Sequence, residues 1–190
     1  MDDEHNNRPA LQAVLERMLQ EASLPDSVAI NFMRWYAGVT QSLARRAKTA
    51  ETAPIVGFSG CQGSGKSTVV PLMANVMREV HGVSAVVLSL DDFYLTKAAR
   101  AALAASIHPL FATRGVPGTH DLALLNETIT ALRLARAAVP VPTFDKARDN
   151  RTEMVHWRQV SAPVQLILLE GWCIGLSPQK DSELEEPVNS

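Results

Sequence analysis

Apolar residues recur along the chain with two different periods. Leu11, Val14, Leu15, Met18 and Leu19 fall at helical spacing, so Pro9 to about Glu21 reads as an amphipathic helix. Pro25-Asp26 restarts a helix whose apolar face carries Val28, Ile30, Phe32, Met33, Trp35, Tyr36 and Leu43. Arg45, Arg46 and Lys48 gather at its C-terminal end, where the helix dipole favours cations. The Trp35-Tyr36 pair is expected to pack into the core. Thr52-Ala53-Pro54 breaks this pattern, and three compact apolar runs follow at wide intervals: Ile55–Ser59, Ser84–Leu90 and Val164–Leu169. Their length and continuity predict short strands buried on both faces. Between them lie a helix over Val69–Val80 closed by Gly82, an Ala-rich helix over Thr96–Ser106, and a helix capped by Asp121 and running to about Ala138. Residues 107–120 read as a loop, Pro140 and Pro142 end the last helix, and Phe144–Arg151 reads as a polar, charged loop.

Strands alternating with helices predict an α/β fold, a parallel sheet with helices on both faces. The expected layout is an N-terminal helical extension over 1–52, a core over 53–178 and an acidic, disordered tail over 179–190. Residues 1–8 are expected to fray.

Composition narrows the function. The chain has 190 residues, 46% hydrophobic and 20% charged, which is enough apolar material for one domain with a real core. A formal net charge of −2 and 5% aromatics argue against nucleic-acid binding by bulk charge or base stacking. Two cysteines, Cys61 and Cys173, are too few for a disulfide scaffold or a four-thiolate zinc site. The acidic N-terminus lacks the pattern of a secretion signal, and no apolar run is long enough to span a bilayer. A cytoplasmic protein without membrane or nucleic-acid partners is the expectation.

The strongest chemical signal is Gly60–Ser67, a full match to G-x-x-x-x-G-K-[ST] between a predicted strand and a predicted helix. Glycines 60, 63 and 65 let the backbone N–H groups of Gly60, Cys61, Gln62, Gly63, Ser64, Gly65, Lys66, Ser67 and Thr68 surround phosphate oxygens. The helix that follows adds its positive end. Lys66 is expected on the β- and γ-phosphates and Ser67 on Mg²⁺. Ligands in open α/β sheets bind outside the carboxyl ends of the strands. Asp91-Asp92 ends the second strand and Glu170 the third, so both converge on the same edge as the loop. Glu170 after Gln165-Leu-Ile-Leu-Leu has the form of a Walker B acid that holds Mg²⁺, with Asp92 a further candidate ligand. Asp91-Asp92 offers a candidate general base toward an acceptor hydroxyl. ATP and Mg²⁺ are the expected cofactors.

Beside the phosphate loop, four ordered motifs carry a resemblance over about Pro54 to the last residue. They are Ser89-Leu90-Asp91-Asp92-Phe93-Tyr94-Leu95-Thr96, Arg114-Gly115-Val-Pro-Gly118-Thr-His120-Asp121, Val141-Pro-Thr-Phe144-Asp145-Lys146 and Glu170-Gly171-Trp172-Cys-Ile-Gly175. Together they resemble the D-glycerate 3-kinase family of P-loop kinases, within the uridine kinase, phosphoribulokinase and pantothenate kinase superfamily. The resemblance implies a three-layer P-loop fold and transfer of the ATP γ-phosphate to the 3-hydroxyl of D-glycerate. It gives the base role to Asp91; Asp92 stands where relatives carry Ser or Gly. It places Tyr94, Arg114, His120, Asp121, Asp145, Lys146 and Arg151 around the acceptor, where a glycerate-like anion needs cationic partners. Uridine or pantothenate phosphorylation, or ATP binding without turnover, are the alternatives. Family members run longer and supply further strands and a lid with arginines after the third strand. The expectation is therefore a truncated kinase whose first strand is an open edge that invites self-association.

Overall fold

The computed structural model describes residues 8–183 and 185. At its centre is a three-stranded parallel sheet. β1 (Ile55–Ser59) and β2 (Ala85–Ser89) flank β7 (Leu166–Gly171), in the order β1-β7-β2. Ile55 pairs with Ile167 on one side of β7, and Val86 pairs with Ile167 on the other. β7 is buried along most of its length because both its edges and both its faces are covered. Its side chains alternate between two cores, as strand geometry requires. Leu166 and Leu168 join one apolar cluster, and Ile167 joins the other.

The first cluster lies under the N-terminal helices. α1 (Arg8–Glu21) contributes Leu15 and Leu19, and α3 (Ala37–Thr49) contributes Ala44 and Ala47. These pack on Val70, Met73 and Met77 of α4 (Lys66–Glu79), the helix leaving the phosphate loop. Residues 8–49 thus share a continuous core with the helix that carries the loop. α2 (Ser27–Asn31) runs into α3 through a π-helical turn, Phe32–Tyr36. The wider turn shifts the helical phase, which corrects one expectation. Phe32 is buried and Tyr36 packs against the core, whereas Trp35 is 61% exposed, with the Arg34 guanidinium 4.7 Å from its ring centroid.

The second cluster joins the opposite face of the sheet to α6 (Leu122–Leu134) through Leu125 and Leu132. Between β2 and α6 lie the 3₁₀ turn Leu90–Phe93, α5 (Lys97–Ser106) and the 3₁₀ turn Pro109–Ala112. Three further departures concern residues 134–160. α6 ends at Leu134 rather than near Ala138, because β3 (Val139–Val141) turns Val139 and Val141 into this cluster. β3 pairs antiparallel with β6 (Arg158–Val160), a ribbon the helix-and-loop pattern did not predict. The expected charged loop is a hairpin, β4 (Phe144–Asp145) with β5 (Asn150–Arg151), turning through Asp149 at φ +53°.

β1 also departs from a strand buried on both faces. It is an edge strand, with Val56 and Phe58 half-buried and Ile55 43% exposed. The open edge expected from the sequence is therefore present. Of the expected tail, Asp181–Glu183 forms a 3₁₀ turn, while residues 184 and 186–190 lie outside the described residues, as do 1–7 of the expected N-terminal fray. Leu168→Ala is expected to cost about 3 kcal/mol in denaturant unfolding, since it leaves a cavity on the central strand. Ile55→Lys on the exposed edge is expected to change stability by less than about 0.5 kcal/mol.

Candidate active site

Parallel pairing sets the site. In-register strands bring the phosphate loop after β1, Asp91 after β2 and Glu170 near the end of β7 to one edge of the sheet. Gly63 and Gly65 adopt φ of +75° and +86°, conformations that side-chain-bearing residues rarely take, and Gly65 caps α4. Lys66 lies back across the loop, its Nζ donating to the carbonyls of Gly60 and Cys61 (2.7 Å) and to Ser64 Oγ (3.3 Å). Ser67 Oγ lies 3.5 Å from Glu170 Oε1 across the sheet edge. A cavity of about 450 Å³ opens over this group, lined by Gln62, Lys66, Ser67, Asp91, Glu170 and Trp172 among others.

Glu170 is only 6% exposed, and among the described residues no cation pairs with it. A buried carboxylate beside a hydroxyl is a donor set that suits Mg²⁺. No group of three or more His, Cys, Asp or Glu able to hold a metal occurs among the described residues. A divalent ion here would thus take Ser67 and Glu170 from the protein and its remaining ligands from phosphate and water.

A second cavity, about 470 Å³, shares Gln62, Asp91 and Lys146 with the first and is lined also by Tyr94, Arg114, Gly115 and Asp149. Lys146 Nζ sits 2.8 Å from Asp91 Oδ2. Burial, reinforced by the charge of Asp91, pushes the Tyr94 phenol up to about 12, so it remains an O–H at neutral pH. His120 stacks on Tyr94 with ring centroids 4.2 Å apart, and Phe144 meets Tyr94 edge-on. Asp91, Lys146, Tyr94 and Arg114 are thus brought together around the second cavity.

Other candidates serve the scaffold. Asp92 lines neither of these cavities; its carboxylate accepts from Phe144 N (3.0 Å) and fastens β4 to the turn after β2. Burial raises its pKa. Asp121 caps α6 at Leu124 N and binds Arg151 Nη2 at 2.8 Å, which also reaches the Tyr94 carbonyl. Both Asp121 and Arg151 are therefore consumed in joining α6 to the β4–β5 hairpin. Asp145 Oδ1 accepts from the amides of Ala147 and Arg148 and shapes that hairpin. The sequence reading missed Arg100, fully buried on α5, and Asp149, its partner at 2.9 Å. An arginine in an Ala-rich helix carries no local sign of burial; only the helical phase of Arg100 relative to Leu103 hinted at an inward face.

Asp121→Ala is expected to cost about 1–2 kcal/mol in urea melts by removing the cap and the Arg151 partner. Acid should destabilise the fold through His120, whose pKa burial lowers despite the opposing charge of Asp91. The folded state favours neutral His120, so its contribution is complete above the unfolded value of 6.5 and lost as pH falls from there through the lower folded value. His120→Gln is expected to flatten the slope of stability against pH in that window; an unchanged slope would count against this assignment.

No protein-family model matches the chain. It is 36% identical over 133 residues to the chloroplastic D-glycerate 3-kinase of Arabidopsis thaliana, covering 65% of this chain and 29% of that protein. It is 35% identical over 132 residues to the uncharacterized kinase mug58 of Schizosaccharomyces pombe, covering 65% of this chain and 47% of that protein. The chain therefore spans half or less of the length of these curated relatives. Among solved structures, D-glycerate 3-kinase from Cryptococcus neoformans var. grubii superposes with a TM-score of 0.68 at 29% identity, over 80% of this chain and 56% of that one. Similarity in sequence and similarity in architecture thus agree: the chain is a homologue of D-glycerate 3-kinase and its related kinases, built on the P-loop kinase fold.

Proposed function

We propose that the protein transfers the γ-phosphate of MgATP to a hydroxyl of a small anionic acceptor of the glycerate type. The observation that carries this reading is the pair of adjoining cavities that share Asp91, one over the phosphate loop and one beneath Arg114 and Tyr94. Phosphoryl transfer asks for alignment and charge neutralisation more than for covalent chemistry. Backbone N–H groups of residues 60–68 and the N-terminus of α4 hold the phosphate chain, and Lys66 leaves the loop carbonyls to meet the β- and γ-oxygens. Ser67 and Glu170 would hold Mg²⁺, which when bound neutralises phosphate charge. Asp91 stands between the two cavities. Lys146 pairs with its Oδ2, and the Asp91 carboxylate accepts the proton of the acceptor hydroxyl as that oxygen attacks phosphorus and ADP departs. Arg114, at the far side of the acceptor cavity, suits a carboxylate. Tyr94, with its phenol protonated, offers a hydrogen-bond donor.

A coupled ADP-release assay with MgATP against D-glycerate, uridine and pantothenate tests the reading. Glycerate is expected to be the preferred acceptor, and Asp91→Asn is expected to lower turnover about 10²–10⁴-fold while ATP affinity stays within about twofold. Lys66→Ala is expected to abolish ATP binding in a titration. ATP binding with no turnover on any acceptor would overturn the kinase reading in favour of a nucleotide-binding one.

A further inference from the structure

The acceptor cavity is lined by four charged side chains: Asp91, Arg114, Lys146 and Asp149. Two cations and two carboxylates cancel, and they do so pairwise. Lys146 meets Asp91 at 2.8 Å, and Arg114 Nε meets Asp149 Oδ1 at 2.8 Å. A cavity with that lining alone offers an anion no net attraction. The fifth charge lies behind the wall. Arg100 has a side chain only 1% exposed, and its Nη2 sits 2.9 Å from the other carboxylate oxygen of Asp149. The rest of its guanidinium is held by carbonyls: Nη2 to Asp149 O (2.8 Å), Nη1 to Ala112 O (2.8 Å) and Nε to Leu95 O (3.3 Å). Asp149 is thus shared between two guanidiniums, one facing the cavity and one sealed from it.

We infer that Arg100 is a positioning and charge-setting residue for the acceptor: it takes up the charge of Asp149 so that Arg114 faces the cavity with its own charge uncancelled, selecting an anionic acceptor over a neutral one. The inference rests on the reading that this cavity holds the acceptor. Burial makes the effect strong, because charges withdrawn from solvent are screened far less than surface pairs. Geometry acts in the same direction. The Ala112 carbonyl lies two residues before Arg114, and the Asp149 carbonyl lies at the hairpin turn, so one guanidinium ties together the two segments that carry Arg114 and its partner. Phe144 packs between them, its ring centroid 6.0 Å from the Arg100 guanidinium carbon and 5.2 Å from that of Arg114. The Arg114 Nη groups make no hydrogen bond to the described residues, so a fork of donors remains for a carboxylate.

The test compares D-glycerate with glycerol, its neutral counterpart, in the ADP-release assay, and follows folding by thermal melts. Arg100→Met is expected to raise the glycerate KM about tenfold and to reduce the preference for glycerate over glycerol by a similar factor, with the ATP KM within about twofold. Adding Asp149→Asn to Arg100→Met removes the carboxylate left uncompensated and is expected to bring the glycerate KM back within about threefold of the parent. Arg100→Lys keeps the charge but not the fork of donors that holds the three carbonyls, and is expected to raise the glycerate KM less than Arg100→Met does. A purely structural role for Arg100 predicts neither a selective change in acceptor KM nor rescue by a second substitution. An unchanged glycerate KM in folded Arg100→Met, or a tenfold rise in the folded double variant, would overturn the inference. Should Arg100→Met fail to fold, the double variant decides. A parent protein without glycerate-dependent turnover would instead overturn the proposed function, and this inference with it.

Discussion

The parallel pairing of β7 between β1 and β2 is the constraint on which the remaining structure depends. β7 is the one strand of this sheet with neighbours on both edges, and its alternate side chains feed both cores. Because the strands run in the same direction and in register, whatever follows each of them emerges at one edge. The phosphate loop, Asp91 and Glu170 are separated by tens of residues in sequence and become neighbours only through that ladder. The hydrophobic burial that stabilises the sheet is therefore the same interaction that assembles the chemistry.

A second layer of organisation is polar. The β4–β5 hairpin and the segment carrying Arg114 contribute few residues to either apolar cluster. Buried or half-buried charges hold them instead: Asp92 on Phe144 N, Arg151 on Asp121 and the Tyr94 carbonyl, and Arg100 on Asp149 and two further carbonyls. Such contacts are directional, and each leaves a costly orphan if broken. They fix geometry more tightly than apolar packing alone, which suits a wall that must present Arg114 and Tyr94 at a set distance from Asp91. Several residues that carry conspicuous charge in the sequence thus act one step behind the cavity surface.

The nucleotide side of the site was legible in the sequence because its chemistry is local. Gly60–Ser67 encodes its own loop, since positive-φ glycines, the following helix and the lysine act within a few residues of one another. The three core strands, the capping role of Asp121, and the parallel architecture were readable for the same reason: each depends on short-range periodicity or on one side chain bonding a nearby amide. The inward set of the N-terminal helices was readable for Leu15, Leu19 and Phe32 but not for Ile30, which faces outward, nor for Trp35, which the π-turn moves outward in a shift that no 3.6-residue period contains.

What only the tertiary structure decided is which charged residues reach the cavity. Asp91 and Asp92 are adjacent in sequence, yet one lines the cavities and the other bonds a backbone amide on a distant strand. Arg114 and Arg151 look alike as loop arginines, yet Arg114 lines the second cavity and Arg151 braces a helix cap. Arg100, in an alanine-rich helix, turns out to be wholly buried. Sequence by itself determined the fold class and the conformation of the Gly60–Ser67 loop, because backbone conformation and hydrophobic period are local properties. The wall of the second cavity and its charge balance were set by long-range contacts, because a charge acquires its surroundings from the partners that folding brings within a few ångströms of it.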